Sequence, residues 1–234
     1  MTPKRVCAVV GVGPGNAAAF ARRFASEGYA VALLARSTST SEALAAELGD
    51  ARAYACDVTD AASVERAFVA IAADLGPVHT IVYNAGSGTW GTVEEITPDV
   101  LEGAFRVNTL GLLLCAQQAI PAMKAQGAGN IVVVGSTASR RGVARTAAFA
   151  PAKAAQRSLA ESMERHLWPQ GIHVALIIVD GVVDAPRSRA LMVGKAADSF
   201  LSPDALAHTA FHLATQHPSA WSFEVEARPF NEPW

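Results

Sequence analysis

Short apolar runs recur along this chain, and most are followed by a longer stretch with helical spacing. "RVCAVV" (5–10) reads as a strand and "GNAAAFARRFASEG" (15–28) as a helix. "AVALLA" (30–35) is again strand-like and precedes a helix over roughly 41–48, while "ARAYACD" (51–57) precedes a helical 60–75. "VHTIVYNAG" (78–86) leads into a long helical region near 98–125, which Thr97 is placed to cap with Pro98 at the first helical position. "NIVVVGS" (130–136) is followed by a helix near 149–167, "HVALIIVD" (173–180) by one near 203–215, and "SFEVEAR" (222–228) closes the series as a strand. The early strands are continuous rather than alternating, the pattern of strands covered on both faces.

Repeated strand–helix units of this kind predict an α/β fold: a Rossmann-type, doubly wound parallel sheet of about seven strands in a three-layer α/β/α arrangement. No repeat or long linker divides the chain, so residues 1–234 read as one domain. The segment 184–200 is the least regular inner piece and is expected to form a mobile flap. Composition agrees with a large covered sheet, since 51% of residues are hydrophobic and 17% charged. A net charge of −2 gives no electrostatic case for nucleic acid or an anionic membrane. Cys7, Cys56 and Cys115 are widely spaced, without a metal or disulfide pattern, and the first apolar run is too short for a membrane span. A cytoplasmic protein is the expectation.

"VVGVGPGNAAAF" (9–20) places Gly11, Gly13 and Gly15 between the first strand and first helix, with Asn16 opening that helix. Glycines there allow a tight turn and close backbone approach to a pyrophosphate, whose charge the helix N-terminus favours. At the end of the second strand stand Arg36 and Ser37, then Thr38 and Ser39, with no acid before Glu42. A carboxylate would repel a 2′-phosphate, whereas a guanidinium and hydroxyls bind one, so NADP(H) is expected over NAD(H). Arg36 as a mere solvated loop charge is the competing reading.

With these residues in view, the chain resembles the short-chain dehydrogenase/reductase family nearly end to end. Its glycine turn falls where that family carries Thr-Gly-x-x-x-Gly-x-Gly, with Val10 for the threonine and Ala17 for the last glycine. The resemblance implies adenine contacts at Asp57 and Val58, and a cofactor-binding role for Asn84, Ala85 and Gly86 in "YNAG". It implies Gly181 and Val183 of "DGVV" beside the nicotinamide, Asn108 helping to hold a proton-relay water, and Ser136 bonding the substrate oxygen. Lys153 would bind the nicotinamide ribose. Four residues before Lys153, where the family has its tyrosine general acid, stands Phe149; seven before it stands Thr146. The chain's tyrosines are Tyr29, Tyr54 and Tyr83, none at that place.

The expected function is therefore carbonyl/alcohol oxidoreduction on a small molecule with an altered proton supply. Ser136 could polarise the carbonyl, or Lys153 could deliver a proton through a water near Asn108. A cofactor-binding relative with little activity, serving a structural or regulatory role, is the alternative. Arg140, Arg141 and Arg145 would suit an anionic substrate if they face the pocket. His208 and His212, four apart on a helix, lack a third ligand and read as a packed or solvated face. Leu191, Met192 and Phe200 could line an apolar substrate cavity. Trp221, Phe223, Phe230 and Trp234 are candidates for a homodimer or homotetramer interface.

Overall fold

The computed structural model describes residues 4–13 and 15–232; Trp234 lies outside them. Seven strands form one sheet: β1 Val6–Val10, β2 Ala30–Ala35, β3 Ala51–Ala55, β4 Val78–Tyr83, β5 Gly129–Val134, β6 Ile172–Val179 and β7 Glu224–Ala227. Their order is β3-β2-β1-β4-β5-β6-β7, and every pairing is parallel. β1 thus has β2 on one side and β4 on the other. Its carboxyl end is the point where the winding reverses, and there the loops diverge to leave a crevice.

Along β1 no residue is exposed, yet the two faces are distinct. Val6, Ala8 and Val10 join one core layer, while Cys7 and Val9 join the other. On the first face pack α3 (Ala61–Asp74), α5 (Gly111–Gln126) and α6 (Phe149–Leu167). On the second face pack α1 (Asn16–Ser26), α2 (Ser39–Leu48) and α8 (Pro203–Ala214). Phe20 and Phe24 of α1 are fully buried, each stabilising the fold by roughly 1.5–3 kcal/mol through burial. Burial on both faces is why β1, β2, β4, β5 and β6 carry no alternation of buried and exposed positions, while β3 and β7 at the two edges are only partly covered.

Two of the sequence expectations gain detail. The helical region 98–125 is broken into α4 (Pro98–Phe105), a five-residue π turn over Arg106–Leu110, and α5. At this turn the Gly111 N–H reaches back to the Arg106 carbonyl, and the Tyr83 hydroxyl donates to the Val107 carbonyl at 2.5 Å. Gly111 lies so close to Tyr83 and Val58 that a Cβ there would run into both. The segment 184–200 contains a short helix, α7 (Pro186–Leu191), with Pro186 in its first turn and Arg189 paired to Asp184 at 2.7 Å. Thr97 caps α4 through Val100 N–H at 3.4 Å, as the sequence predicts.

Candidate active site

The crevice is built from chain ends. β1 runs into the glycine turn, in which Gly11 takes φ 86° and donates its N–H to the Leu34 carbonyl at 2.9 Å. A Cβ at Gly11 would collide with the backbone of Ala85, so only glycine lets this turn lie on the end of β4. Asn84 fastens the same junction: its N–H donates to the Val10 carbonyl at 2.9 Å and its Nδ2 to the Gly11 carbonyl at 3.1 Å. Gly13 faces open space, with nothing within 4 Å of a Cβ built on it.

Gly15, at φ 125°, leads into α1, which has neither a side-chain cap nor an acid in its first turn. Asn16 Oδ1 is shielded from solvent and has no hydrogen-bond partner. Ala17 is buried where the helix meets the sheet. Uncapped N–H groups, the helix dipole and an open glycine together form a cradle for an anionic group.

Beyond the turn, Arg36 and Ser37 are exposed at the end of β2, and Val58 is buried behind them. The Asp57 carboxyl is held below its usual range, first by the Thr59 N–H and hydroxyl at 2.9 and 2.8 Å, and less strongly by the Arg36 charge. At the other flank, Gly181 takes φ 148° against Pro229 and Leu201. Leu201 donates to the Val182 carbonyl and accepts from Asp184 N–H, both at 2.8 Å, which turns the backbone groups of Val183 the other way.

Between these flanks lies a cleft of about 270 Å³ lined by Asn16, Asn84, Gly86, Ser87, Ser136, Phe149, Lys153 and Gly181, among others. It gathers residues that are far apart in sequence. Ser136 stands two residues past β5 at the start of a short 3-10 turn, and its Oγ accepts from Ala138 N–H at 3.3 Å, leaving its O–H free to donate. Lys153, on the buried face of α6, donates to the Val134 carbonyl at 3.0 Å and to Gln156 Oε1 at 2.9 Å. Burial pushes its amine down to about 7, with no charge partner contributing. Phe149, one turn earlier, is half-buried against Trp90 with ring centroids 6.0 Å apart, and the Lys153 amine stands 6.0 Å from its ring.

Asn108 is fully buried in the π turn. Its Nδ2 donates to Ser87 Oγ at 3.2 Å and to the Ala104 carbonyl at 2.9 Å, while its Oδ1 has no partner and lies 3.3 Å from where a Gly86 Cβ would be. Its own carbonyl accepts from Gln156 Nε2 at 2.8 Å. Gln156 thus stands between the Lys153 amine and the Asn108 carbonyl, bonded to both. The sequence reading did not single it out. The signal was there: positions 149, 153, 156, 160, 163 and 167 form one stripe of α6, and a glutamine stands in it.

Other candidates fall outside the cleft. Arg140 is engaged by Glu224 and Glu226 of β7, and Arg145 by Glu95 at 3.2 Å. An anionic-substrate role therefore loses two of its three cations. Arg141 lines an adjoining groove of about 600 Å³ with Val93, Val143 and Ala150. Thr146 ties the 142–147 loop through Val143, accepting at 2.8 Å and donating at 2.8 Å. Tyr83 is sealed in the core, and burial pushes its phenol far upward, so it is no proton donor to the cleft. His208 lies against Arg23 and His212 against Gln216; among the described residues no three metal-ligating side chains cluster.

The short chain dehydrogenase profile matches residues 5–192. The chain belongs to the short-chain dehydrogenase family. Among curated members it is 30% identical to D-threitol dehydrogenase of Mycolicibacterium smegmatis over 223 residues, which is 90% of this chain and 86% of that one. Of solved structures, the 3-ketoacyl-(acyl-carrier-protein) reductase of Brucella melitensis, complexed with NADH, superposes with a TM-score of 0.90 at 26% identity, over 100% of both chains. The alcohol dehydrogenase of Thermococcus sibiricus, complexed with 5-hydroxy-NADP, gives a TM-score of 0.88 at 26% identity, over 98% of both. As in these short-chain dehydrogenases, the sheet is a Rossmann-type parallel one with helices on both faces. No helix among the described residues is long and apolar enough to cross a membrane.

Proposed function

We propose that this short-chain dehydrogenase interconverts a carbonyl and an alcohol with NADP(H), using Ser136 and Lys153 where a phenol is lacking. One observation carries the reading. The uncapped start of α1, with its unpartnered Asn16 Oδ1, opens on the same cleft as the free Ser136 hydroxyl and the buried Lys153 amine. Gly11, Gly13, Gly15 and Asn16 would hold the pyrophosphate, and Arg36 with Ser37 the 2′-phosphate. Asp57 and Val58 would border the adenine, and Asn84, Ala85, Gly86 and Lys153 the nicotinamide ribose. Gly181 and Val183 would meet the carboxamide.

When bound, the dinucleotide supplies or takes up a hydride. The chain's part is orientation and proton handling. Ser136 donates to the substrate oxygen, and Lys153 holds a proton whose affinity lies close to neutral pH. Phe149 and Trp90 form an apolar wall, and Val93 and Val143 line the adjoining groove, which suits a largely apolar carbonyl compound. The NADH-bound relative makes NAD(H) the competing cofactor.

The same reading takes residues 1–234 as one cytoplasmic domain with a flap over 184–200, acting as a homodimer or homotetramer. Phe230 is 88% exposed, whereas Trp221 is stacked on His173 and Phe223 packs on the core. Light scattering tests the assembly, and a strict monomer refutes it.

Fluorescence titration tests the cofactor. NADPH is expected to bind more tightly than NADH, and Arg36→Ala to remove most of that preference. Equal affinities in the parent protein would overturn the NADP(H) assignment, and binding of neither would overturn the whole proposal. A second reading, a cofactor-binding protein with little turnover, is favoured by the absence of any hydroxyl on Phe149.

A further inference from the structure

Gln156 follows Lys153 by three residues on α6, and no part of it reaches solvent. Both ends of its carboxamide are committed, Oε1 to the Lys153 amine at 2.9 Å and Nε2 to the Asn108 carbonyl at 2.8 Å. The Val134 carbonyl takes a second Lys153 N–H at 3.0 Å. A neutral amine has two N–H bonds and one lone pair, and an ammonium has three N–H bonds. With two positions held by Val134 and Gln156, the third is the lone pair in one state and the exchangeable N–H in the other. Lys153 lines the cleft beside Gly86, Ser136 and Phe149, so that position serves the cleft.

The surroundings of the amine are uncharged. α6 contributes Phe149 and Gln156, the end of β5 contributes Val134, Gly135 and Ser136, the end of β4 contributes Gly86 and Ser87, and the π turn contributes Asn108. None of these carries a titratable or charged side chain. A carboxamide passes no proton onward without changing tautomer, so the contact with Asn108 is an anchor and not a relay.

We propose that Gln156 is a positioning residue for Lys153: it fixes the amine with a single open site, so that the lysine exchanges its proton on the cleft side alone. The proposal rests on the reading of Lys153 as the proton-handling group. It assigns a second effect to the same contact. A neutral partner leaves the amine easy to deprotonate, in line with the downward push of burial on Lys153.

The test needs neither substrate nor turnover. The chain has four lysines, Lys4, Lys124, Lys153 and Lys195, so labelling at Cε with ¹³C yields four signals by NMR, and Lys153→Arg identifies one by its loss. Gln156→Glu is expected to raise the Lys153 midpoint by at least tenfold in proton affinity, because a carboxylate would then face the ammonium. Gln156→Leu is expected to lower it, because the ammonium loses an acceptor. If these variants do not fold, the parent protein decides. The Gln156 side-chain ¹⁵N signal must shift with the Lys153 midpoint, and its N–H must exchange slowly with solvent. An unchanged midpoint in both folded variants, or a carboxamide signal indifferent to the lysine, overturns the proposal. Failure of the oxidoreductase reading would show separately, in the NADPH titration.

Discussion

At position 149 a benzyl ring lies tilted at 34° to Trp90 and offers packing area without a proton. A positioned general acid contributes about 10²–10⁴ in rate, so Phe149→Tyr is expected to raise turnover of a carbonyl panel within that range. NADPH affinity should stay unchanged, since the ring borders the cleft and not the glycine turn. The comparison is NADPH consumption by parent and variant. An unchanged rate would mean that Ser136 and Lys153 already meet the need. At the same scale, Gly11 and Gly13 show why three glycines in one loop are not equivalent. Gly11 is demanded by the fold, because Ala85 leaves no room for a Cβ, whereas Gly13 borders open space and no packing in the fold demands it.

Among elements, the α4–α5 junction shows how a strand shapes a helix. The Tyr83 hydroxyl reaches from β4 to the Val107 carbonyl inside the π turn, and that turn carries Asn108 toward Gly86 and Ser87. Tyr83→Phe keeps the packing and removes the donor, leaving a carbonyl in the core without it. The expected loss is about 1–3 kcal/mol, read from urea unfolding. No change in unfolding midpoint would show that the hydroxyl is dispensable to the turn. Periodicity could not reveal this junction. Apolar spacing near 3.6 continues through 98–125, and the π turn meets its contact from Tyr83 only in the folded chain.

For the whole molecule, three buried basic groups, His79, His173 and Lys153, link stability to pH with the same sign. Burial, helped by the Arg5 charge, pushes His79 down to about 4 from an ordinary 6.5, and burial pushes Lys153 down to about 7 from 10.5. In each case the unfolded chain binds the proton more readily, so stability falls as pH falls through that window. Measured by urea midpoints, the parent should lose stability relative to His79→Asn between pH 6.5 and 4, with a flat difference above 6.5. Against Lys153→Met, the loss should run from 10.5 to 7 and then level off. A pH-independent difference would show that the group is solvated in the folded state.

The recurrence of covered strands and helical stretches determined the layer architecture, because a strand buried on both faces must be continuously apolar wherever it lies in the sheet. The glycine turn and Arg36 stood out by residue type beside the ends of strands, whereas Ser136, Phe149 and Lys153 were picked out by the family resemblance, and the fold brings these three to one cleft. Tertiary structure alone decided which polar groups meet. Arg140 and Arg145 found carboxylates on β7 and in the 92–96 loop, while Gln156 came to stand between Lys153 and the Asn108 carbonyl. Except for Lys153 with Gln156, one helical turn apart, these pairings join residues dozens of positions apart, and local spacing carries no record of them. Hydrogen bonds act over about 3 Å, and only the folded chain sets those distances.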